Sequence, residues 1–299
     1  MAKSVRGTRG TGFARPPVAP PSRGLEGEGR SRFWGVSSQV RVDNLFQPRP
    51  SGGRAARADV REPYSIVLNS FSFDLSTFDA AIVDLDGTMV DTIGDFVVAL
   101  NLMLDDLSLS HVTAKDVESM VGKGSEHLIR STLRHVRGSD ADEALCDAAW
   151  QHYTRHYLAI NGQHSAVYPG VVEGLEAMRA KGIRLACLTN KPNDFAKPLL
   201  AAKGLDGYFE FVFGGDAFER KKPDPLPLLK TCEALGTSPA RTLMVGDSSN
   251  DAQAARAAGC PVVLVTYGYN HGEPIKYVDA DAFVDSLAEL RSACPAARP

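Results

Sequence analysis

The sequence predicts an α/β protein. Its core is a Rossmann-like, mostly parallel sheet, and a small α-helical cap is inserted near the start of that core. Three observations predict this. Short apolar runs of buried-strand type alternate with amphipathic helical stretches from residue 168 to about residue 284. Between residues 92 and 160 helical spacing recurs four times with no clear strand. Residues 1–62, in contrast, are rich in Arg, Gly, Pro and Ser and show no period at all.

Taken in order, residues 1–77 read as a basic, disordered N-terminal extension. Residues 1–62 carry 12 Lys and Arg against 5 Asp and Glu, a balance of +7. A segment so poor in periodic apolar residues cannot bury enough surface to offset its ordering entropy. The same stretch admits a nucleic-acid-binding arm, an organelle transit peptide or a translated upstream region. On the last reading, no Met stands between Met1 and Met89, so translation would start at a non-Met codon near Val67 or Leu68.

Ala80–Leu85 opens the core as a short buried strand. Phe96 to Leu107, Val117 to Val121, Leu128 to Val136 and Leu145 to Leu158 supply the four helical stretches of the cap, residues 93–167. The core, residues 78–92 and 168–292, then resumes after Tyr168-Pro169-Gly170. Strands are expected at 183–188, 211–213, 242–245, 262–265 and 283–284. Helices are expected at 170–181, 194–203, 225–235 and 250–258, the last three stopped by Gly204, Gly236 and Gly259. Apolar strands joined by helices imply a sheet covered on both faces.

Composition narrows the function. Hydrophobic residues make up 43% of the chain and charged residues 23%, as in an ordinary globular protein with a substantial core. Beyond residue 62 the balance is −10, which argues against nucleic-acid binding by the globular part. No apolar run approaches the length that crosses a bilayer, and no secretory h-region begins the chain. The five cysteines are scattered without a C-x-x-C pair, which fits the reducing cytoplasm.

Ligands of such sheets bind outside the carboxyl ends of the strands. Those ends read Asp84-Leu85-Asp86-Gly87-Thr88, Thr189-Asn190-Lys191 and Gly246-Asp247-Ser248-Ser249-Asn250-Asp251, and Lys222 lies in KKPDP after the third core strand. Side chains two apart in an extended segment point the same way, so Asp84 and Asp86 can face one cleft. Two carboxylates there can act as nucleophile and as general acid/base. A hard cation such as Mg²⁺ relieves their repulsion, and Asp247 can add a ligand to it. Gly87 lets backbone N–H groups approach an anion, Thr189 can donate to a phosphate oxygen, and Lys222 can neutralise its charge. These are the requirements of phosphoryl transfer.

DLDGT, TNK, KKPDP and GDSSND, in this order and spacing, resemble the four motifs of the haloacid dehalogenase superfamily over roughly residues 78–290. The resemblance implies that Asp84 attacks phosphorus to form an aspartyl-phosphate. It implies that Asp86 protonates the leaving oxygen and then activates water. Mg²⁺ would be held by Asp84, the Asp86 backbone carbonyl and Asp247, with Asp251 supporting the site directly or through water. Thr189 and Asn190 would bind the phosphoryl group, and Lys222 rather than Lys221 would pair with nucleophile and phosphate. Dehalogenases proper lack the second aspartate, so Asp86 points to phosphate chemistry.

VYPGV (167–171), VGKG (121–124) and TYGYNHGEPI (266–275) are further similar to phosphoglycolate phosphatases. This implies a small phosphorylated metabolite as partner, 2-phosphoglycolate first, with Lys123 reaching from the cap to its carboxylate. Met89 stands where the family commonly has Leu. The alternatives are a phosphatase for a nucleotide, sugar phosphate or pyrophosphate, a phosphomutase, a phosphonatase using Lys123, and a non-catalytic binding protein. The expected assembly is a monomer or a homodimer.

Overall fold

The computed structural model describes residues 74–291. The expectations for residues 1–73 and 292–299 lie outside the described residues. The proposed end of the extension at residue 77 moves earlier, because Leu75 is already fully buried in the core beneath the sheet.

Eight strands are described: β1 (Ala80–Val83), β2 (Val90–Asp91), β3 (Ala166–Val167), β4 (Arg184–Leu188), β5 (Phe211–Phe213), β6 (Thr242–Gly246), β7 (Val262–Val265) and β8 (Ala282–Val284). Six form one parallel sheet in the order β5-β4-β1-β6-β7-β8. Alternation along each strand divides the core into two apolar layers. Ala81, Val83, Leu185, Cys187, Leu243 and Val245 face one side. There they meet α5 (Val171–Ala180) and α6 (Asn193–Ala202). Ala80, Ile82, Ala186, Leu188 and Met244 face the other. There they meet α7 (Leu226–Leu235) and α8 (Ser249–Ala258). The near-continuous apolar strands are thus explained by burial on both faces.

The four cap stretches form α1 (Ile93–Asp106), α2 (Ala114–Glu118), α3 (Ser125–Arg137) and α4 (Glu143–Ile160). They close on an apolar cluster of their own that includes Phe96, Leu100, Met103, Ile129, Leu133, Tyr153 and Tyr157. Phe195 of α6 enters that cluster, its ring centroid 4.8 Å from that of Tyr157. The strands flanking the cap, β2 and β3, form a two-residue antiparallel ribbon that the sequence reading does not contain. Two residues per strand are too few to carry a period-2 signal.

The return from cap to core is fixed by one carboxylate. Asp95, fully buried in the first turn of α1, accepts the backbone N–H groups of Gly162 (2.9 Å) and His164 (2.7 Å). Asp95→Ala leaves two part-buried donors without their acceptor and is expected to cost about 1–3 kcal/mol in denaturant unfolding, with Asp95→Asn losing less.

Candidate active site

Sheet order places the candidate residues. β4, β1 and β6 are neighbours, and their register sets Val83 opposite Cys187 and Val245. The residues that follow, Thr189, Asp84 and Asp247, therefore leave three adjacent strands at the same edge. The backbone N–H of Asp84 still donates to Val245 O (2.9 Å), so the side chain is held as firmly as a strand residue. After Leu85 the chain folds back. Leu85 O accepts from Met89 and Val90, and Gly87 takes a φ of 81°. A Cβ on Gly87 would overlap the Asp247 carboxylate, so the position requires glycine for both conformation and space.

Lys222 reaches this edge from the loop after β5. Its side chain is 2% exposed, and Nζ donates to Leu188 O (2.9 Å) and Asp251 Oδ1 (2.7 Å) while lying 3.0 Å from Asp84 Oδ1. Burial pushes the Lys222 ammonium down, but Asp251 and Asp84 outweigh that and hold it above its usual range. Burial, together with the neighbouring Asp251 and Asp86 charges, pushes the Asp84 carboxyl up to about 7 against the pull of Lys222. Asp247 is raised well above the carboxylate range by burial and by Asp251 and Asp84.

Oxygen atoms of Asp84, Asp247 and Asp251 all lie within 4.8 Å of one another, a cluster able to hold a metal ion. The donor set fits a hard cation. Asp84 Oδ1 is buried without a well-directed hydrogen-bond donor. Four carboxylates (Asp84, Asp86, Asp247 and Asp251) face two ammonium groups (Lys191 and Lys222), a deficit of two positive charges. Asp251 is the most heavily engaged member. Its Oδ1 takes Lys222, and its Oδ2 takes Ser248 Oγ (2.8 Å) and the N–H groups of Asp247 and Ser248 (both 3.2 Å). With Ser248 it also closes a capping box at the start of α8, so it acts on the cluster mainly by positioning.

Asp84, Asp86, Thr189 and Asn190 line one narrow, partly open cavity of about 30 Å³ together with Phe96, Gly122, Gly124, Ser125 and Lys191. That volume is on the order of one water molecule, less room than a substrate needs. The cap loop is fastened by Gly122 O, which accepts from Asn190 Nδ2 (2.9 Å) and Asn250 Nδ2 (3.1 Å), and by Val121 O, 2.7 Å from His271 Nδ1. The Asn190 amide is therefore engaged with the cap and with Lys222 O (2.9 Å). Lys123 is exposed and does not line the cavity. The Asp86 carboxylate stands outside the metal-type cluster, because Lys191 Nζ donates to its Oδ1 at 2.8 Å.

Sequence reasoning overlooked Lys191, although the alternation that joins Asp84 to Asp86 also joins Thr189 to Lys191. Tyr269 joins the site as well, its N–H donating to Asp247 Oδ2 (2.8 Å). His152 and His156 are part-buried, and both meet Asp106 beside Arg155.

Comparison with known proteins places these features in context. The family model described as "Haloacid dehalogenase-like hydrolase" matches residues 81–265. A phosphoglycolate phosphatase of Thiobacillus denitrificans is 45% identical over 210 residues, which span 70% of this chain and 92% of that protein. One from Nitrosospira multiformis is 46% identical with the same two coverages. The crystal structure of a predicted phosphoglycolate phosphatase from Haemophilus somnus superposes with a TM-score of 0.69 at 33% identity, covering 72% of this chain and 97% of that one.

Asp84 has a proton affinity in the folded chain above that of an ordinary carboxyl, so the metal-free fold binds more protons than the unfolded chain. Its contribution is therefore present at low pH and lost as pH rises from about 4 toward about 7. In thermal unfolding the difference between wild type and Asp84→Asn is expected to grow in favour of the variant across that interval. A divalent cation should stabilise wild type more at pH 8 than at pH 5.

Proposed function

The chain belongs to the haloacid dehalogenase-like hydrolases and is a phosphatase; we propose that it works with Mg²⁺ on 2-phosphoglycolate, releasing glycolate and phosphate through an aspartyl-phosphate. The observation that carries the reading is the division between two carboxylates two residues apart. Asp84 is ion-paired to a buried lysine inside a metal-type cluster. Asp86 stands outside that cluster at the cavity wall, engaged by a different lysine. The names of the bacterial relatives support the substrate.

Asp84 and Asp247 would hold Mg²⁺, with the Asp86 backbone carbonyl and Asp251 in support. The cation, when bound, supplies charge neutralisation for an incoming phosphoryl group. An Asp84 carboxylate oxygen attacks phosphorus in line, the bond from phosphorus to the ester oxygen breaks, and Asp86 gives its proton to that oxygen as glycolate leaves. Water then attacks the phosphorus of the aspartyl-phosphate and yields a proton to Asp86 while the bond from phosphorus to the Asp84 oxygen breaks, so phosphate leaves, Asp84 is again a free carboxylate and Asp86 is again protonated. Lys222 keeps Asp84 oriented and offsets the charge that builds on the phosphoryl oxygens. On this reading Thr189 donates to one of those oxygens. The cap excludes bulk water while the phosphoenzyme exists.

Phosphate release with Mg²⁺ tests the reading on 2-phosphoglycolate beside sugar phosphates, nucleotides and pyrophosphate. The expected result is a kcat/KM for 2-phosphoglycolate at least about tenfold above every other ester, abolished in Asp84→Asn and reduced about 100-fold or more in Asp86→Asn. A maximum on another ester would keep the mechanism and remove the substrate.

A further inference from the structure

Lys191 is a lysine that the fold isolates. Its side chain is 1% exposed, and its Nζ donates to Asp86 Oδ1 at 2.8 Å. The ammonium also lies 4.3 Å from the centroid of Phe96 and 4.8 Å from that of Tyr157, both rings belonging to the cap. An ammonium has three donors. Among the described residues Asp86 is its one side-chain acceptor, and aromatic faces hold a cation without neutralising it. A group whose only task was to orient Asp86 would not need a full charge removed from water, since a neutral amide could donate the same hydrogen bond.

We propose that Lys191 is a specificity-determining residue that binds a carboxylate on the leaving group, one carbon away from the ester oxygen. The inference rests on the preceding reading and names how its substrate is chosen. Asp86 must reach the ester oxygen at a hydrogen-bond distance of about 2.7 Å to protonate it. Lys191 Nζ lies 2.8 Å beyond the Asp86 carboxylate, on the cap side of the cavity. A carboxylate attached to the first carbon of the leaving group spans roughly 3 Å from the ester oxygen, so one of its oxygens arrives within hydrogen-bond reach of Nζ. Longer leaving groups carry their charge past the ammonium into Phe96 and Tyr157. Neutral leaving groups leave the buried charge without its second partner, which a site built for a polar contact rejects. Because the rings that flank Lys191 come from the cap, selection is complete only when the cap is closed. Lys123, exposed on the cap loop, has no part in it.

The test compares 2-phosphoglycolate with ethyl phosphate, which has the same carbon count and no carboxylate. Both are assayed with Mg²⁺ on wild type, Lys191→Met, Lys191→Gln and Lys191→Arg, with thermal unfolding to verify folding. Lys191→Gln keeps a donor for Asp86 and so separates the positioning of Asp86 from recognition of the substrate. The expected result is a fall of about 100-fold in the kcat/KM ratio of the two esters for both Met and Gln variants. In Lys191→Gln ethyl phosphate should lose at least about tenfold less than 2-phosphoglycolate, and Lys191→Arg should recover part of the ratio. Glycolate should lose potency as a product inhibitor in Lys191→Gln, whereas inorganic phosphate should keep it. Equal losses on both esters would overturn the proposal and reduce Lys191 to a support for Asp86. An unchanged ratio would overturn it as well. Wild type lacking any preference for 2-phosphoglycolate would remove the preceding reading, and this one with it. The wild-type measurement alone therefore separates the two failures.

Discussion

The ammonium of Lys222 is the point on which the strand-end site depends. It is almost wholly out of water; it donates to Leu188 O and Asp251, and it lies 3.0 Å from Asp84 as an ion pair. Removing an ammonium and two carboxylates from water costs several kcal/mol per ion, and only close pairing with further hydrogen bonds offsets this. Each partner comes from a different element: Leu188 ends β4, Asp84 follows β1, and Asp251 lies in the first turn of α8. The sheet must therefore have its order and register before the charges can meet. Once they do, the charges fix the edge as one rigid unit. The raised proton affinity of Asp84 is a consequence of the same burial.

The cap completes the cavity through two kinds of contact with opposite physical character. Its loop is fastened by hydrogen bonds from Asn190, Asn250 and His271, each of modest strength in the presence of water. Its helices present Phe96 and Tyr157 to Lys191, and the α6 residue Phe195 joins their apolar cluster. The hydrogen bonds are few and separable one at a time, whereas the aromatic wall is packed within its own helices. Opening for exchange and closing for chemistry are thus compatible within one fold.

Most of the framework was legible before any coordinates. Glycine stops at 204, 236 and 259 marked helix ends, and the strand ends carried their carboxylates in plain view. Of the two lysines of KKPDP, the structure buries Lys222 and exposes Lys221. What escaped notice has physical reasons. The β2–β3 ribbon is too short to leave a period. Leu75 belongs to the core by a contact remote in sequence, so the extension was drawn too long. Lys123 was attractive as a cation in a cap motif, but nothing in a sequence says which way a loop lysine points. Lys191 sat beside two selected residues and was passed over because its partners, Phe96 and Tyr157, are distant along the chain.

The sequence by itself determined the fold class, the alternation of strands and helices, and which strand ends bear acids, because these follow from local periodicity and from residue types at fixed spacings. Only the tertiary structure decided which acid belongs with which base. Asp84 and Asp251 share Lys222, while Asp86 takes Lys191, and both assignments depend on strand order and on the docking of a cap inserted between β1 and β4. Charge pairing weakens with distance and strengthens with burial, quantities that no linear pattern records.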